Sequence, residues 1–347
     1  MKRWLLGCLA FLALAAALAS APWAMGALPI RSKSFLKRRP LEWSGILTIA
    51  VVPAWGSEGF TAWLSARARE FEKENPGVLI SVREMNVAAY LSHREKRDLP
   101  DAVILPAYVE LSPDEVFLPL TGSMPARQEA LLAGQRAGRQ YGLPLALGSY
   151  ALMANLPKLD ALQLTPSSAG EEFLAGMRKS GRGVGCPIQP FAHAEELLGR
   201  VGWLEGAPVQ YAVREKAWPD FALEEKTLFF VASQREVRRM QSLRAAGRCF
   251  ETALWLPEAA YTDQMLLYSL TRPAFSGHGA DAKQRQKELA AFAAYLLGEE
   301  AQRQLVGAWL FSPREGLALY DGGPMAELEK TLAGELEMPN AYQKWQE

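Results

Sequence analysis

The chain carries three histidines, His93, His193 and His278, and three cysteines, Cys8, Cys186 and Cys249. No two of the histidines fall on one helix turn, and none stands by a cysteine pair at metal-ligand spacing. There is no glycine-rich phosphate loop and no Gly-x-Ser-x-Gly elbow, and no carboxylate is singled out for acid–base work. These residue types predict neither an enzyme nor a cofactor or metal. The residues suited to chemistry are aromatic rings set beside short polar side chains: Trp55 with Ser57 and Glu58, Tyr108, and Ser149 with Tyr150. Rings supply stacking faces, and hydroxyls, amides and carboxylates pair the polar groups of a small solute. That chemistry is noncovalent capture.

Such residues need elements to converge them. Residues 46–53 are short, β-branched and apolar, which predicts a buried strand. A helix follows from Phe60, with Phe60, Trp63, Leu64, Ala68 and Phe71 on one face, which assigns Trp63 to the core. Asn75-Pro76-Gly77 stops it, and 78–82 is a second strand. This β-α-β unit predicts a parallel sheet. A third strand spans 102–105, with Asp101 as its anchor. Ligands of open α/β sheets sit outside the carboxyl ends of the strands, so loops 54–59 and 106–110 face one cleft. The stretch 145–154 is nearly continuous strand, broken at Gly148-Ser149-Tyr150, where a chain crossing between lobes can hinge. By period-2 alternation one of Ser149 and Tyr150 faces the cleft.

Farther on, strand 226–232 leads to Gln234, positioned to reach a ligand or to cap the helix at 236–246. Trp255 and Glu258 flank the return crossing after strand 250–256, with Trp255 fitting cleft or core. The last third reads as helical, at 283–297, 299–308 and 325–335. Arg314, after Pro313, is placed to pair with an anionic ligand or to bridge lobes.

Lys+Arg and Asp+Glu both number 38, so the balance is neutral and offers nucleic acid no basic surface. Hydrophobic residues make up 49%, a globular composition. Met1-Lys2-Arg3 followed by an apolar run predicts a signal peptide or membrane anchor over 1–27, then a basic tether over 28–44. Cys8 lies too early in that run for a lipidation site. In an exported chain Cys186 and Cys249 can form a bridge or remain buried thiols.

The order of these elements resembles a known family. The resemblance is carried by Gly56-Ser57-Glu58-Gly59-Phe60, Phe71-Glu72-Lys73-Glu74-Asn75-Pro76-Gly77-Val78, Pro100-Asp101-Ala102-Val103-Ile104, Leu118-Pro119-Leu120 and Tyr141-Gly142-Leu143-Pro144. Toward the end come Ala290-Ala291-Phe292, Tyr295-Leu296-Leu297, Glu300-Ala301-Gln302 and Phe311-Ser312-Pro313-Arg314. The chain resembles the extracellular solute-binding proteins of ABC importers, family 1, the maltose-binding-protein-like group, over residues 46–320. The resemblance implies an α/β, two-lobed periplasmic-binding-protein fold (type II), each lobe a mixed sheet flanked by helices and joined by hinge strands. It implies lobes of 45–147 plus 257–297 and of 148–256 plus 298–347. It further implies an extracytoplasmic monomer that closes on a solute and serves the transmembrane subunits of an ABC permease. The solute expected first is a sugar, whose rings stack on aromatics; a polyamine, a peptide or the role of an anchored sensor are the alternatives. Gly148 stands where maltose-binding relatives carry a cleft carboxylate, and Ala154 where relatives often have Tyr.

Overall fold

In a computed structural model the structure describes residues 43–122, 125–164, 171–187, 194–201, 204–256, 260–276, 281–334 and 336–337. The expectations for residues 1–42 lie outside the described residues, and so does Glu258. No helix among the described residues is long and apolar enough to cross a membrane.

The first sheet opens with β1 (Gly45–Val51), α1 (Phe60–Glu74) and β2 (Val78–Glu84). β1 is apolar on both faces because it is covered on both; Leu47, Ile49, Ala50 and Val51 are fully buried. α1 buries the predicted face, including Trp63, whose Nε1 donates to the Ala301 carbonyl at 3.1 Å. Asn75 ends the helix with both its backbone N–H and its side-chain amide on the Phe71 carbonyl, each at 2.9 Å. The helix α2 (Val87–Lys96) precedes β3 (Ala102–Pro106). Asp101 does anchor the start of β3: its carboxylate accepts the N–H and the hydroxyl of Thr48, both at 2.8 Å, and pairs with Arg285 at 3.1 Å. β4 (Leu143–Leu147) closes the first sheet and β5 (Tyr150–Asn155) belongs to the second. The chain therefore crosses between sheets at Gly148-Ser149, as the broken strand predicts.

The second sheet is completed by α3 (Glu171–Ser180), β6 (Val184–Pro187), α4 (Ala194–Val201), β7 (Val209–Ala212), α5 (Arg214–Ala222), β8 (Phe229–Ser233), α6 (Gln234–Ala245) and β9 (Thr252–Trp255). The chain then returns as β10 (Met265–Leu270), which runs antiparallel between β3 and β4 in the first sheet. The sequence reading has no strand there; Met-Leu-Leu-Tyr-Ser-Leu is apolar but for Ser269 and buried on both faces, so alternation gives no signal. The strand orders are β2-β1-β3-β10-β4 and β9-β5-β8-β6-β7. Both sheets are mixed, since β10 opposes its neighbours in the first and β5 opposes β8 and β9 in the second.

The third crossing follows α7 (Ala282–Leu296) and α8 (Glu299–Arg303), which continues as a 3-10 turn over Gln304–Ala308. These segments sit against α1, and α9 (Gly323–Ala333) then packs on α6 of the second lobe. A buried network fixes the passage: Gln302 Nε2 donates to the carbonyls of Leu145 (3.1 Å) and Leu296 (2.9 Å), and Ser312 Oγ donates to Gln302 Oε1 at 2.6 Å. Behind the crossings one apolar cluster is shared between the lobes. It joins Leu147, Met265 and Leu267 of the first sheet to Met153 and Phe230 of the second, with Leu328 and Leu332 of α9. Cys186 belongs to a different cluster from the one Cys249 packs on, and the two thiols are not bridged.

Candidate functional site

Strand directions place the site. β1, β3 and β4 all run toward the edge where β10 begins, and β6, β7, β8 and β9 all run toward the edge where β5 begins. Because Leu147 and Tyr150 are only three positions apart, these two edges face each other across Gly148-Ser149. Everything the cleft rule selects therefore converges there.

From the first lobe comes the loop after β1. Ser57 turns it locally, its hydroxyl donating to the Ala54 carbonyl at 2.7 Å. Gly56 has φ +80°, and a Cβ there would stand 2.8 Å from Ser233 Oγ, so the second lobe approaches this backbone closely. The Trp55 ring enters the second lobe's apolar cluster and lies 5.2 Å, centroid to centroid, from the Tyr150 ring. Glu58 pairs with Arg235 at 2.7 Å, and the Arg235 guanidinium lies 5.8 Å from the centroid of Trp309. From the second lobe, Gln234 opens α6 and is fully buried. Its Nε2 donates to the Gly56 carbonyl and its Oε1 accepts the Ser149 N–H, both at 3.1 Å. The helix start is capped by Ser233 and Glu236, the Ser233 N–H donating to Glu236 Oε2 at 3.0 Å. Gln234 thus ties both lobes to the crossing instead of capping its helix.

Three acidic hydroxyl and carboxyl groups meet at the centre: Tyr108, Tyr150 and Asp263. The Tyr150 hydroxyl donates to Asp263 Oδ1. Burial pushes the Asp263 carboxyl up to about 7, and the Tyr150 hydrogen bond works in the opposite direction. Burial and the neighbouring Asp263 carboxyl hold both tyrosine hydroxyls above their ordinary range. Asp263 escaped the sequence reading, although Thr262-Asp263-Gln264 stands directly before the apolar run of β10.

The remaining feature is a set of buried polar atoms that make no hydrogen bond: Trp55 Nε1, Ser149 Oγ, and both Gln264 Oε1 and Nε2. Gln264 is 1% exposed and lies beside the Tyr150 hydroxyl without reaching hydrogen-bonding geometry. Gly148 donates its N–H to the Gln264 carbonyl at 2.8 Å. A Cβ at position 148 would stand 2.7 Å from Gln264 Cβ and overlap its Oε1. The space that a side chain at 148 would take is therefore filled by an amide from another strand.

The structure brings together Trp55, Ser57, Glu58, Tyr108, Ser149, Tyr150 and Gln234. It places Trp255 on the face of β9, 5.6 Å from the Phe229 ring, flanking the second-lobe core. Arg314 is half-buried and donates to the Leu297 carbonyl at 3.0 Å. Grooves of about 720 and 500 Å³ open on the first lobe, both bordered by Pro119, Leu120 and Thr121 and lying toward the opposite edge of its sheet.

Solved structures share this architecture. The GacH receptor of Streptomyces glaucescens, determined unliganded and with acarbose, matches with a TM-score of 0.60 and 16% identity, over 86% of this chain and 89% of that one. The galacto-N-biose/lacto-N-biose I-binding protein of the Bifidobacterium longum ABC transporter matches at 0.60 and 13%, over 86% and 88%. The maltose/maltodextrin-binding domain of Bdellovibrio bacteriovorus, bound to maltotriose, matches at 0.56 and 12%, over 83% and 87%. This chain has the two-lobed solute-binding fold. Neither a protein-family model nor a curated protein matches its sequence. In a solute-binding fold the facing sheet edges are the walls of an interlobe cleft, and here the cleft is shut on its own side chains: Trp55, Ser149, Tyr150, Gln234 and Gln264 are all at most 5% exposed.

Proposed function

We propose that the protein is an extracytoplasmic solute receptor that captures a carbohydrate between its lobes by hinge closure and hands it to an ABC-type permease. The observation that carries this reading is the set of unpartnered buried groups, Trp55 Nε1, Ser149 Oγ and the Gln264 amide, gathered from both sides of the cleft. A buried polar group left unpaired costs about 1–3 kcal/mol. The shut form without solute therefore carries a penalty that a polar ligand relieves, and relief on closing is how a ligand shifts a hinge equilibrium. The rings of Trp55, Tyr108 and Tyr150 supply the stacking faces a sugar needs. The similar structures were determined with acarbose, lacto-N-biose and maltotriose, so saccharides are the first class to test.

On this reading the protein binds and does not catalyse, and it acts as a monomer. The charged start and apolar run of residues 1–27 export it or hold it at the outer face of the membrane. The lobes on this reading are 45–147 with 257–297, and 148–256 with 298–347. Thermal unfolding and calorimetry against a saccharide panel test the assignment. A ligand at a hundredfold its Kd should stabilise the protein by about 2.7 kcal/mol. No shift and no heat with any saccharide would overturn it.

A further inference from the structure

The cleft's unpartnered atoms form a specific inventory. Trp55 Nε1 only donates, the Ser149 hydroxyl donates and accepts, and the Gln264 amide offers two donor hydrogens and an acceptor oxygen. An ammonium ligand would need acceptors alone, and a carboxylate or phosphate would need donors alone. A mixed set suits uncharged groups that both give and take hydrogen bonds, namely hydroxyls and acetamides.

Gln264 stands at the centre of this set. Its side chain fits only because position 148 has no Cβ, and its Oε1 lies 3.0 Å from where a Cβ of Gly56 would be. It thus touches the crossing and the first-lobe loop at once. Ser233 Oγ, which opens the second lobe's α6, would stand 2.8 Å from that same Gly56 Cβ. Among the described residues, no other unpartnered side chain of this set reaches so many elements. The titratable and charged groups around it are Tyr150 on β5, Asp263 beside it in the chain, Tyr108 after β3, and the Glu58–Arg235 pair between loop 54–59 and α6.

We propose that Gln264, admitted by Gly148, is the specificity-determining residue of the cleft and selects an uncharged saccharide over a cationic or anionic solute of the same shape. This rests on the cleft being the solute site. Because the amide is buried with only an imperfect contact to the Tyr150 hydroxyl, a neutral hydroxyl or acetamide gains hydrogen bonds there, whereas an ammonium meets the amide's N–H hydrogens as well as its oxygen. Replacing the amide by a carboxylate converts a neutral contact into an acceptor-only one and should move the preference toward the cationic solute.

The test is calorimetry with chito-oligosaccharides and their deacetylated, protonated counterparts, which share one backbone. Wild-type protein should bind the acetylated series at least tenfold more tightly. Gln264→Leu should lose roughly tenfold or more for that series, because Trp55 and Ser149 keep their donors while the ligand loses its amide partner. Gln264→Glu, which keeps the side chain's shape and whose folding its melting point checks, should shift the ratio by tenfold or more toward the deacetylated series. Equal binding of both series, or unchanged affinity in Gln264→Leu with an unchanged ratio in Gln264→Glu, would overturn the role of Gln264 and leave the cleft as the solute site. If neutral saccharides of any linkage give neither heat nor a thermal shift with the wild type, the cleft assignment itself falls and this inference falls with it.

Discussion

Gly148→Ala is the most informative single substitution, because what it meets is known atom by atom. The new Cβ would stand 2.7 Å from Gln264 Cβ and 2.9 Å from Gln264 Cδ, and would overlap Oε1. The amide end can swing away, but the Gln264 Cβ is tied to a backbone whose carbonyl accepts the Gly148 N–H at 2.8 Å. The crossing must therefore spread, and overpacking of this kind costs about 1–3 kcal/mol. Unfolding entropy is about 2.1 cal/mol/K per residue, so the folded unit of residues 45–347 should melt about 2–5 °C lower. Scanning calorimetry measures this directly. A double-mutant cycle with Gln264→Gly, which removes all three crowding atoms, should recover about 1 kcal/mol or more of coupling. A melting point within 1 °C of wild type, or a double variant that loses the sum of the single losses, would refute the claim that Gly148 exists to admit Gln264.

Three further outcomes follow from the same geometry. Asp263 is raised by burial from 3.8 to about 7, so the unfolded chain gives up its proton at lower pH than the folded one does. Its contribution is fully present below about pH 4, declines as pH rises, and is lost above 7; Asp263→Asn should flatten that part of a denaturant-stability profile. Arg314→Ala removes a hydrogen bond to the Leu297 carbonyl and should cost about 0.5–1.5 kcal/mol of stability while leaving saccharide affinity unchanged in calorimetry. Arg235→Ala takes the guanidinium from the Glu58 carboxylate, whose oxygens are buried, so it should cost about 1–3 kcal/mol of stability. The same variant should raise the ligand-free radius of gyration in solution scattering, and added salt should do so in the wild type.

What could be read from sequence were the features that a local rule governs. The first β-α-β unit was legible because Phe60, Trp63, Leu64, Ala68 and Phe71 keep helical spacing and Asn75-Pro76-Gly77 must stop a helix. The crossing was legible because a glycine interrupts an otherwise apolar strand. The loop at 54–59 was legible because the carboxyl end of a parallel strand is where α/β sheets bind. What stayed hidden has one physical character: it depends on a partner distant in sequence. β10 is buried on both faces by β3 and β4, so its six residues have no alternation to reveal a strand. Asp263 and Gln264 come to lie beside the crossing only because that strand returns there, more than a hundred positions after Gly148.

Gly148 shows the limit most clearly. Compared with the maltose-binding group, the glycine looks like the loss of a recognition group and suggests a cleft with fewer polar contacts. In three dimensions the loss at 148 is what makes room for an amide from another strand, whose two polar atoms are buried and unpaired. A carboxylate placed at 148 would contend for the same space but would only accept hydrogen bonds, whereas the Gln264 amide gives and takes. On the reading proposed above, the pair of positions 148 and 264 sets the kind of solute the cleft rewards. Because the two positions are coupled through contact, neither alone states the specificity, and a sequence comparison that reads position 148 without position 264 misjudges the site.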